Sequence, residues 1–171
     1  VEQYTLSVGV VGSGTVTLDP AGGLYEDGTV VDLTPVPAVG WAFDHWSGDC
    51  TGSGICQVTM DADKAVTAHF ADVTPPDTII LAHPNDPCYS TDAIFDFTST
   101  EAGSTFECRV DGDAFGPCTC PHTCAGLIFG DHTFEVRAID GAGNTDPNPA
   151  SYSWTIVRAI FLPVIFTGPS G

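Results

Sequence analysis

The chain is poor in positive charge. Four of its 171 residues are Lys or Arg and 22 are Asp or Glu, which gives a formal net charge of −18 at pH 7. A surface with this balance repels the phosphates of nucleic acids and anionic lipid headgroups. We therefore expect no nucleic-acid partner, and we interpret the carboxylates as a solvated anionic surface.

Long apolar stretches and helical periodicity are also missing. The longest continuous apolar run is the segment 159–166, well short of the roughly 18 residues that a membrane-spanning helix needs. The rest of the chain is divided into short alternating segments separated by Gly, Pro and Asp. This pattern predicts an all-β protein that does not insert into a membrane.

Catalytic motifs are absent from the sequence. It contains no P-loop, no GxSxG elbow, no HExxH pair and no dinucleotide fingerprint, and its five histidines are scattered. Three acidic pairs lie in Gly-rich turns, where Asp commonly binds its own backbone: Asp61 with Asp63, Asp111 with Asp113, and Asp140 with Asp146. We therefore predict no enzyme and no cofactor, with weak calcium binding at Asp111–Asp113 or at the Asp140 loop as the alternative.

Cysteine, by contrast, is abundant. Seven cysteines occur among many Gly, Pro, Ser and Thr residues, which is typical of small domains that replace a missing core with disulfides in an oxidising compartment. The chain is therefore expected to be secreted, either extracellular or on the cell surface.

The first half of the chain shows two candidate hairpins. Residues 4–18 alternate around Gly12-Ser13-Gly14, and residues 57–60 and 65–70 flank a short polar turn. The segment 74–77, Thr-Pro-Pro-Asp, then predicts a stiff linker between two domains.

The second half predicts a β-sandwich. Short alternating strands at regular spacing, with Gly, Asp and Pro turns between them, are typical of this architecture. The expected strands cover residues 78–83, 92–99, 105–111, 132–139 and 151–158.

Two resemblances refine this division. Residues 4–70 contain YTLSVGVVGSGTVTLDPAGG, GWAFDHWSGDC and VTMDADKAVTAHF in the order of the divergent InlB B-repeat family, which they resemble. Residues 74–157 contain TPPDT, STEAGSTFECRVDGDAFGPC and GDHTFEVRAIDGAGNTDPNPASYSWTI and resemble a bacterial immunoglobulin-like domain. The resemblances imply a β-grasp-like B-repeat domain at 1–72, an Ig-like sandwich at 73–158 and a tail at 159–171. Both families imply extracellular spacers, stalks or adhesive modules without catalysis.

The resemblances also imply two cysteine pairs, Cys50 with Cys56 and Cys108 with Cys118. Cys88, Cys120 and Cys124 depart from the family pattern. For these, we expect a Cys88–Cys124 disulfide with Cys120 unpaired, and Cys88 with Cys120 is nearly as plausible a pair. An unpaired thiol in a secreted protein indicates an intermolecular bond or a shielded cysteine.

The run Cys118-Thr-Cys120-Pro-His122-Thr-Cys124 also suggests a metal site, because alternate residues of a strand share one face. A flat strand would nevertheless spread these four ligands over about 20 Å, too far for one tetrahedral ion. Disulfides are the favoured interpretation, and no metal is predicted.

Three tryptophans have two interpretations. Trp41, Trp46 and Trp154 are candidates for an exposed platform that binds glycans or for core anchors. The core interpretation is favoured, because Trp41 and Trp46 lie in the B-repeat-like GW…W pattern and Trp154 alternates with Tyr152.

The tail is too apolar for a free end in water. Its continuous apolar run is typical of a strand buried on both faces, and we predict that it is an assembly strand: Ala159, Ile160, Phe161, Leu162, Pro163, Val164, Ile165 and Phe166. The expected function is that of an extracellular structural subunit whose copies join head to tail by strand exchange into a pilus-like filament. The alternative is a spacer or adhesion module, with glycan binding as one form, at the C-terminal end of a larger secreted surface protein.

Overall fold

The computed structural model describes residues 1–159, and these form 14 β-strands and no helix. The all-β prediction is confirmed. The chain divides into two compact units, of which the first is Val1–Thr74 and the second begins at Pro75. No helix within the described part of the chain is long and apolar enough to cross a membrane.

The first unit contains two sheets. Its mixed sheet has the order β3-β1-β7-β5, with β1 and β7 parallel, and its antiparallel sheet has the order β2-β4-β6. The strands are β1 (Gln3–Val11), β2 (Gly14–Asp19), β3 (Leu24–Glu26), β4 (Val30–Pro37), β5 (Trp41–Gly48), β6 (Cys56–Thr59) and β7 (Lys64–Asp72).

Period-two alternation builds the core of the first unit. Because successive side chains of a strand point to opposite faces, β4 buries Val31 and Leu33 while its intervening residues face water. Trp46 from β5 and Phe70 from β7 enter the same cluster. Trp46 is 1% exposed, so it is a core anchor, as favoured.

The predicted hairpin over residues 4–18 is wrong. β1 and β2 are consecutive strands, but β1 pairs with β3 and β7 whereas β2 pairs with β4. At Gly12, where the chain passes between the two sheets, φ is 83° and an added Cβ would lie 2.2 Å from the Phe70 carbonyl oxygen. Glycine is therefore needed there for close approach to β7 and not for a two-residue turn.

The hairpin predicted from residues 57–60 and 65–70 is also wrong. β6 pairs with β4, and β7 lies between β1 and β5. Met60 continues the pairing with the β4 side, since its N–H donates to the Thr29 carbonyl at 2.8 Å and its own carbonyl accepts from Gly28. The segment after it therefore crosses from one sheet to the other.

The second unit also contains two sheets, with the orders β11-β10-β13-β14 and β12-β9-β8. Its strands are β8 (Thr78–Ala82), β9 (Ala93–Ser99), β10 (Thr105–Val110), β11 (Gly116–Cys118), β12 (His122–Cys124), β13 (Gly130–Ile139) and β14 (Ala150–Ile156). The five strands expected from the sequence correspond to β8, β9, β10, β13 and β14, and the short β11 and β12 were missed.

Aromatic side chains fill the space between these two sheets. Phe95 of β9 stacks on Phe134 of β13 at 4.0 Å between ring centroids, and Trp154 of β14 packs edge-on against Phe95 at 5.2 Å. Trp154 is 2% exposed, so a second tryptophan is a core anchor.

Candidate functional site

One disulfide staples the loop between β5 and β6. Cys50 and Cys56 are joined, with their Cα atoms 5.8 Å apart, as the resemblance implied. The loop that they close folds over Trp46, whose indole Nε1–H donates to the Gly54 carbonyl at 3.1 Å. The disulfide thus holds a loop that covers the main aromatic anchor of the first unit.

An apolar groove of 380 Å³ lies beside this loop. Leu33, Pro35, Phe43 and Ile55 line it, and the Ile55 side chain is 93% exposed. β6 pairs with β4 only as far as the register Leu33↔Cys56, whereas β4 continues to Pro37. Among the described residues, no strand pairs with this side of β4 beyond Leu33, so the groove has an open strand edge.

The second disulfide joins Cys108 of β10 to Cys118 of β11, again with a Cα separation of 5.8 Å. The strands are paired through Cys108↔Gly116 and Phe106↔Cys118. A pocket of 270 Å³ opens beside the disulfide, and its lining includes Asp113 and His122.

His122 reaches this pocket from the other sheet. It lies on β12, opposite Phe95 of β9, and its ring stacks on Phe134 at 5.8 Å. Burial lowers the pKa of His122, so its imidazole is neutral at pH 7. Its ring nitrogens make no hydrogen bond to any other residue within the range 1–159.

The predicted Cys88–Cys124 disulfide is not formed: Cys88, Cys120 and Cys124 are free thiols. The backbone of Cys88 is hydrogen-bonded to Thr155 and Val157, beside β14, whereas Cys124 lies on β12 opposite Ala93. The two cysteines are therefore held by different sheets, and the alternative Cys88–Cys120 pair is not formed either.

The free thiols differ in exposure and acidity. Cys120 is exposed, its Sγ–H donates to Asp96 Oδ1 at 2.7 Å, and its sulfur accepts the N–H of Phe97. Desolvation and this hydrogen bond to Asp96 raise the pKa of Cys120. Burial raises the pKa of Cys124 to about 11. Both groups are therefore mainly thiols at neutral pH, and thiols are far less reactive than thiolates.

The acidic pairs named from the sequence hold turns. Asp61 binds the Lys64 ammonium at 2.7 Å, and Asp63 accepts the N–H of Thr5. Asp140 accepts the backbone N–H groups of Ala142 and Asn144. Asp146 is 3% exposed and accepts the N–H groups of Thr78 and Asn148. The bonds of Asp140 and the Asp146–Asn148 bond are the local backbone bonds that Asp makes in turns. The bonds of Asp63 to Thr5 and of Asp146 to Thr78 instead join segments that are distant in the sequence.

Asp111 has a partner that the sequence did not reveal. His132, 4% exposed, has Nδ1 2.7 Å from Asp111 Oδ2 and Nε2 2.8 Å from the Ile128 carbonyl. Because both neighbours are acceptors, the ring satisfies both contacts only when it carries two protons. Burial alone would lower the pKa of His132, but the bonds to Ile128 and Asp111 outweigh it and raise that pKa.

The signal for this contact lay in the strand pairing. Asp111 directly follows β10, and His132 lies two residues before Phe134, which pairs with Val110. Extending that register places Asp111 opposite Thr133, the residue after His132, so the pairing brings Asp111 and His132 near each other in the backbone.

Each of the four Lys and Arg side chains has a contact partner within residues 1–159. Arg109 binds Glu135 through two nitrogens, at 2.7 and 2.8 Å, and Arg137 binds Glu107. Both guanidinium groups also lie over the Phe115 ring, at 4.4 and 4.2 Å from its centroid. Lys64 binds Asp61 and Arg158 lies over Phe129, and these four cations are far outnumbered by the 22 Asp and Glu residues.

Comparison with known protein families finds a match within the first unit. Residues 4–74 match the divergent InlB B-repeat domain. The matched range coincides with the first unit to within three residues at its start, and proteins with this B-repeat domain are found among bacterial surface and secreted proteins. No curated protein matches the chain.

The B-repeat match includes the Cys50–Cys56 disulfide and its Trp46 anchor, but it ends before the second unit. The comparisons give no support to the immunoglobulin-like resemblance of residues 74–157, which stays a prediction. The predicted assembly strand, Ala159–Phe166, lies outside the described residues except for Ala159.

Proposed function

We propose that this chain is a non-catalytic structural module of a bacterial surface or secreted protein, in which two small β units act as a spacer. The observation that carries the proposal is the B-repeat match over residues 4–74, since this domain suggests an extracellular surface-protein module.

The disulfides support an extracellular location. Each unit contains one, and both close short loops, with sequence separations of 6 and 10 residues. Small units that bury little surface per residue gain stability from such cross-links, and the cross-links persist in oxidising compartments. In a reducing cytosol, the same cysteines would not keep these bonds.

The contacts of the polar residues support a role without catalysis. Asp140 and Asp146 use their oxygens to bind backbone N–H groups, and Asp111 is bound to His132 and to the N–H of Thr133. A general base needs free access to a substrate proton. These carboxylates are instead engaged in holding the turns of the second unit.

The location is tested on intact cells of the source bacterium. An antibody against the chain should label unpermeabilised cells or the culture medium, and external proteinase K should remove the cell-bound signal. A cytoplasmic protein serves as the control for lysis. Antigen confined to the protease-protected cytoplasmic fraction would contradict the proposal.

A second proposal concerns self-assembly. The apolar run 159–166 needs a partner surface, and the groove beside β4 offers an apolar lining together with an open strand edge. Donating the run of one copy to the groove of the next would extend the β2-β4-β6 sheet by one strand. Such a contact is head to tail and does not close on itself, so it builds a filament.

Electron microscopy of the full chain beside a version ending at Val157 tests this assembly. Filaments from the full chain and monomers from the shortened one are expected. Ile55→Asp, in the groove, should abolish filaments, whereas Val39→Asp, a fully exposed position outside the groove lining, should not. Monomers from the full chain would overturn strand exchange and leave the spacer proposal standing.

A further inference from the structure

Three side chains with metal-binding atoms meet in the second unit. Cys108 lies on β10, Cys118 on β11 and His122 on β12, so the group spans both sheets of the unit. Each offers one ligand atom, and these atoms all lie within 4.8 Å of one another. This cluster differs from the one suggested by the sequence, because Cys120 and Cys124 do not belong to it.

The imidazole of His122 has no hydrogen-bond partner within residues 1–159. It packs on Phe134 and faces the 270 Å³ pocket, and none of the described residues forms a hydrogen bond with its ring nitrogens. An imidazole nitrogen within 4.8 Å of two sulfur atoms is the type of ligand set that Zn²⁺ prefers.

The disulfide prevents metal binding in the oxidised chain. Metal ions bind thiolates, and the sulfur atoms of Cys108 and Cys118 are bonded to each other. We propose that reduction of this disulfide converts the cluster into a zinc site with Cys108, Cys118 and His122 as protein ligands and a water from the pocket as the fourth.

The exchange balances with a thiol reductant. Two external thiols give two electrons to the Cys108–Cys118 bond and become a disulfide, and the two released cysteines bind Zn²⁺ as thiolates. Two protons go to solvent. The metal and the disulfide therefore exclude each other, and zinc pulls the cysteine pair towards its reduced form.

The scaffold fits both states. In a tetrahedral site with Zn–S bonds of about 2.3 Å, the two sulfur atoms are separated by about 3.8 Å. A short side-chain movement provides this separation, because the paired strands already hold the two Cα atoms 5.8 Å apart. His122 would then tie β12 to β10 and β11 through the metal, so the zinc form replaces one cross-link within a sheet by one that joins both sheets.

The test uses the full chain with Zn²⁺ or Co²⁺ present while a phosphine reductant opens the disulfides. We expect one Co²⁺ per chain with a thiolate-to-cobalt charge-transfer band, displaced by one equivalent of Zn²⁺. Zn²⁺ should also protect Cys108 and Cys118, but not Cys120, from iodoacetamide, as read by peptide mass spectrometry. The oxidised chain should show neither effect.

Variants assign the ligands. His122→Ala should weaken Zn²⁺ binding at least about tenfold, whereas His83→Ala, on an exposed histidine of the same unit, should leave it unchanged. Cys50→Ala/Cys56→Ala should bind normally. Equal binding by His122→Ala, protection of other cysteines, equal binding by the oxidised chain, or unfolding of the second unit on reduction despite Zn²⁺ would each overturn the proposal.

Discussion

The imidazole of His132 lies 2.7 Å from the Asp111 carboxylate, and the other ring nitrogen of His132 faces the carbonyl of Ile128. The ring also lies 5.5 Å from that of Trp154. A residue with a charge that changes near neutral pH is thus placed beside the core of the second unit.

This contact predicts a pH-dependent stability. The folded-state pKa of His132 is raised. Its contribution to the free energy of unfolding is therefore complete below the unfolded-state pKa of about 6.5 and is lost as pH rises through the folded-state pKa. The pKa of Asp111 is lowered. Its contribution to the free energy of unfolding is therefore complete above the unfolded-state pKa of about 3.9 and is lost as pH falls through the folded-state pKa. The pair should therefore stabilise the unit most between about pH 4 and 6.5.

Urea unfolding of the wild type and Asp111→Asn, followed by the Trp154 indole NMR signal, measures this effect. At pH 5.5 we expect the free energy of unfolding of the variant to be about 1 kcal/mol lower, since the His132–Asp111 hydrogen bond is charged but the Asp111 side chain is 46% exposed. The difference should shrink towards pH 9. A difference that stays constant from pH 5.5 to 9 would show that His132 is not charged in the folded chain.

Gly12 provides a second prediction. Its φ of 83° disfavours any Cβ, and a Cβ there would also meet the Phe70 carbonyl oxygen at 2.2 Å. Gly28 has nearly the same φ, 81°, but open space around it. Gly28→Ala should cost about 1 to 2 kcal/mol from backbone strain alone, and Gly12→Ala should cost at least about 2 kcal/mol more, because β1 and β7 must move apart.

Thermal unfolding of the two alanine variants, read on the first unit, gives the comparison. Equal losses would mean that the crossing between β1 and β2 is not held against Phe70.

Alternation and turn residues were sufficient to predict most of the strands but not their partners. The buried side of β4 follows from the sequence, because Val31 and Leu33 alternate with polar residues. The pairing of β1 with β7 cannot be predicted in this way, because parallel neighbours 50 or more residues apart leave no local pattern in the sequence. In the sequence, the glycine-rich segment around Gly12 has the pattern of a hairpin turn. In the structure, the chain passes there from one sheet to the other.

In the candidate sites, too, contacts between residues close in sequence were predicted and contacts between sheets were not. The Cys50–Cys56 and Cys108–Cys118 pairs are close in sequence, and both were expected. The meeting of His122 with Cys108 and Cys118 depends on the packing of two sheets, and its strand, β12, was not predicted at all. Contacts between sheets are set by the tertiary fold, so a pattern along one strand could not reveal them.

The free thiols provide a third prediction. In the native chain, iodoacetamide should modify the exposed Cys120 first and Cys124 only after unfolding, because Cys124 is 6% exposed and its pKa is raised to about 11. Asp96→Asn should speed the reaction of Cys120, since Asp96 helps to raise the pKa of that thiol. Thr98→Val, a nearby change that leaves the Asp96 carboxylate intact, should not.

Peptide mass spectrometry after denaturation counts the labels. Three labelled cysteines per chain are expected, namely Cys88, Cys120 and Cys124. A single label on Cys120 would instead restore the Cys88–Cys124 disulfide predicted from the sequence.

The last prediction concerns the disulfide of the first unit. Cys50→Ala/Cys56→Ala removes a bond that closes a loop with a sequence separation of 6 residues, so the entropy of loop closure alone predicts a loss of about 2 kcal/mol. The loss should be concentrated near Trp46, because the Gly54 carbonyl of the loop accepts the hydrogen bond from its indole N–H. Calorimetry should therefore show a lower unfolding temperature for the first unit, and the second unit should be unchanged. Hydrogen exchange at the Trp46 indole should rise as well. If the transition of the first unit does not move, the loop is held by its own packing over Trp46 and the disulfide is dispensable for the fold.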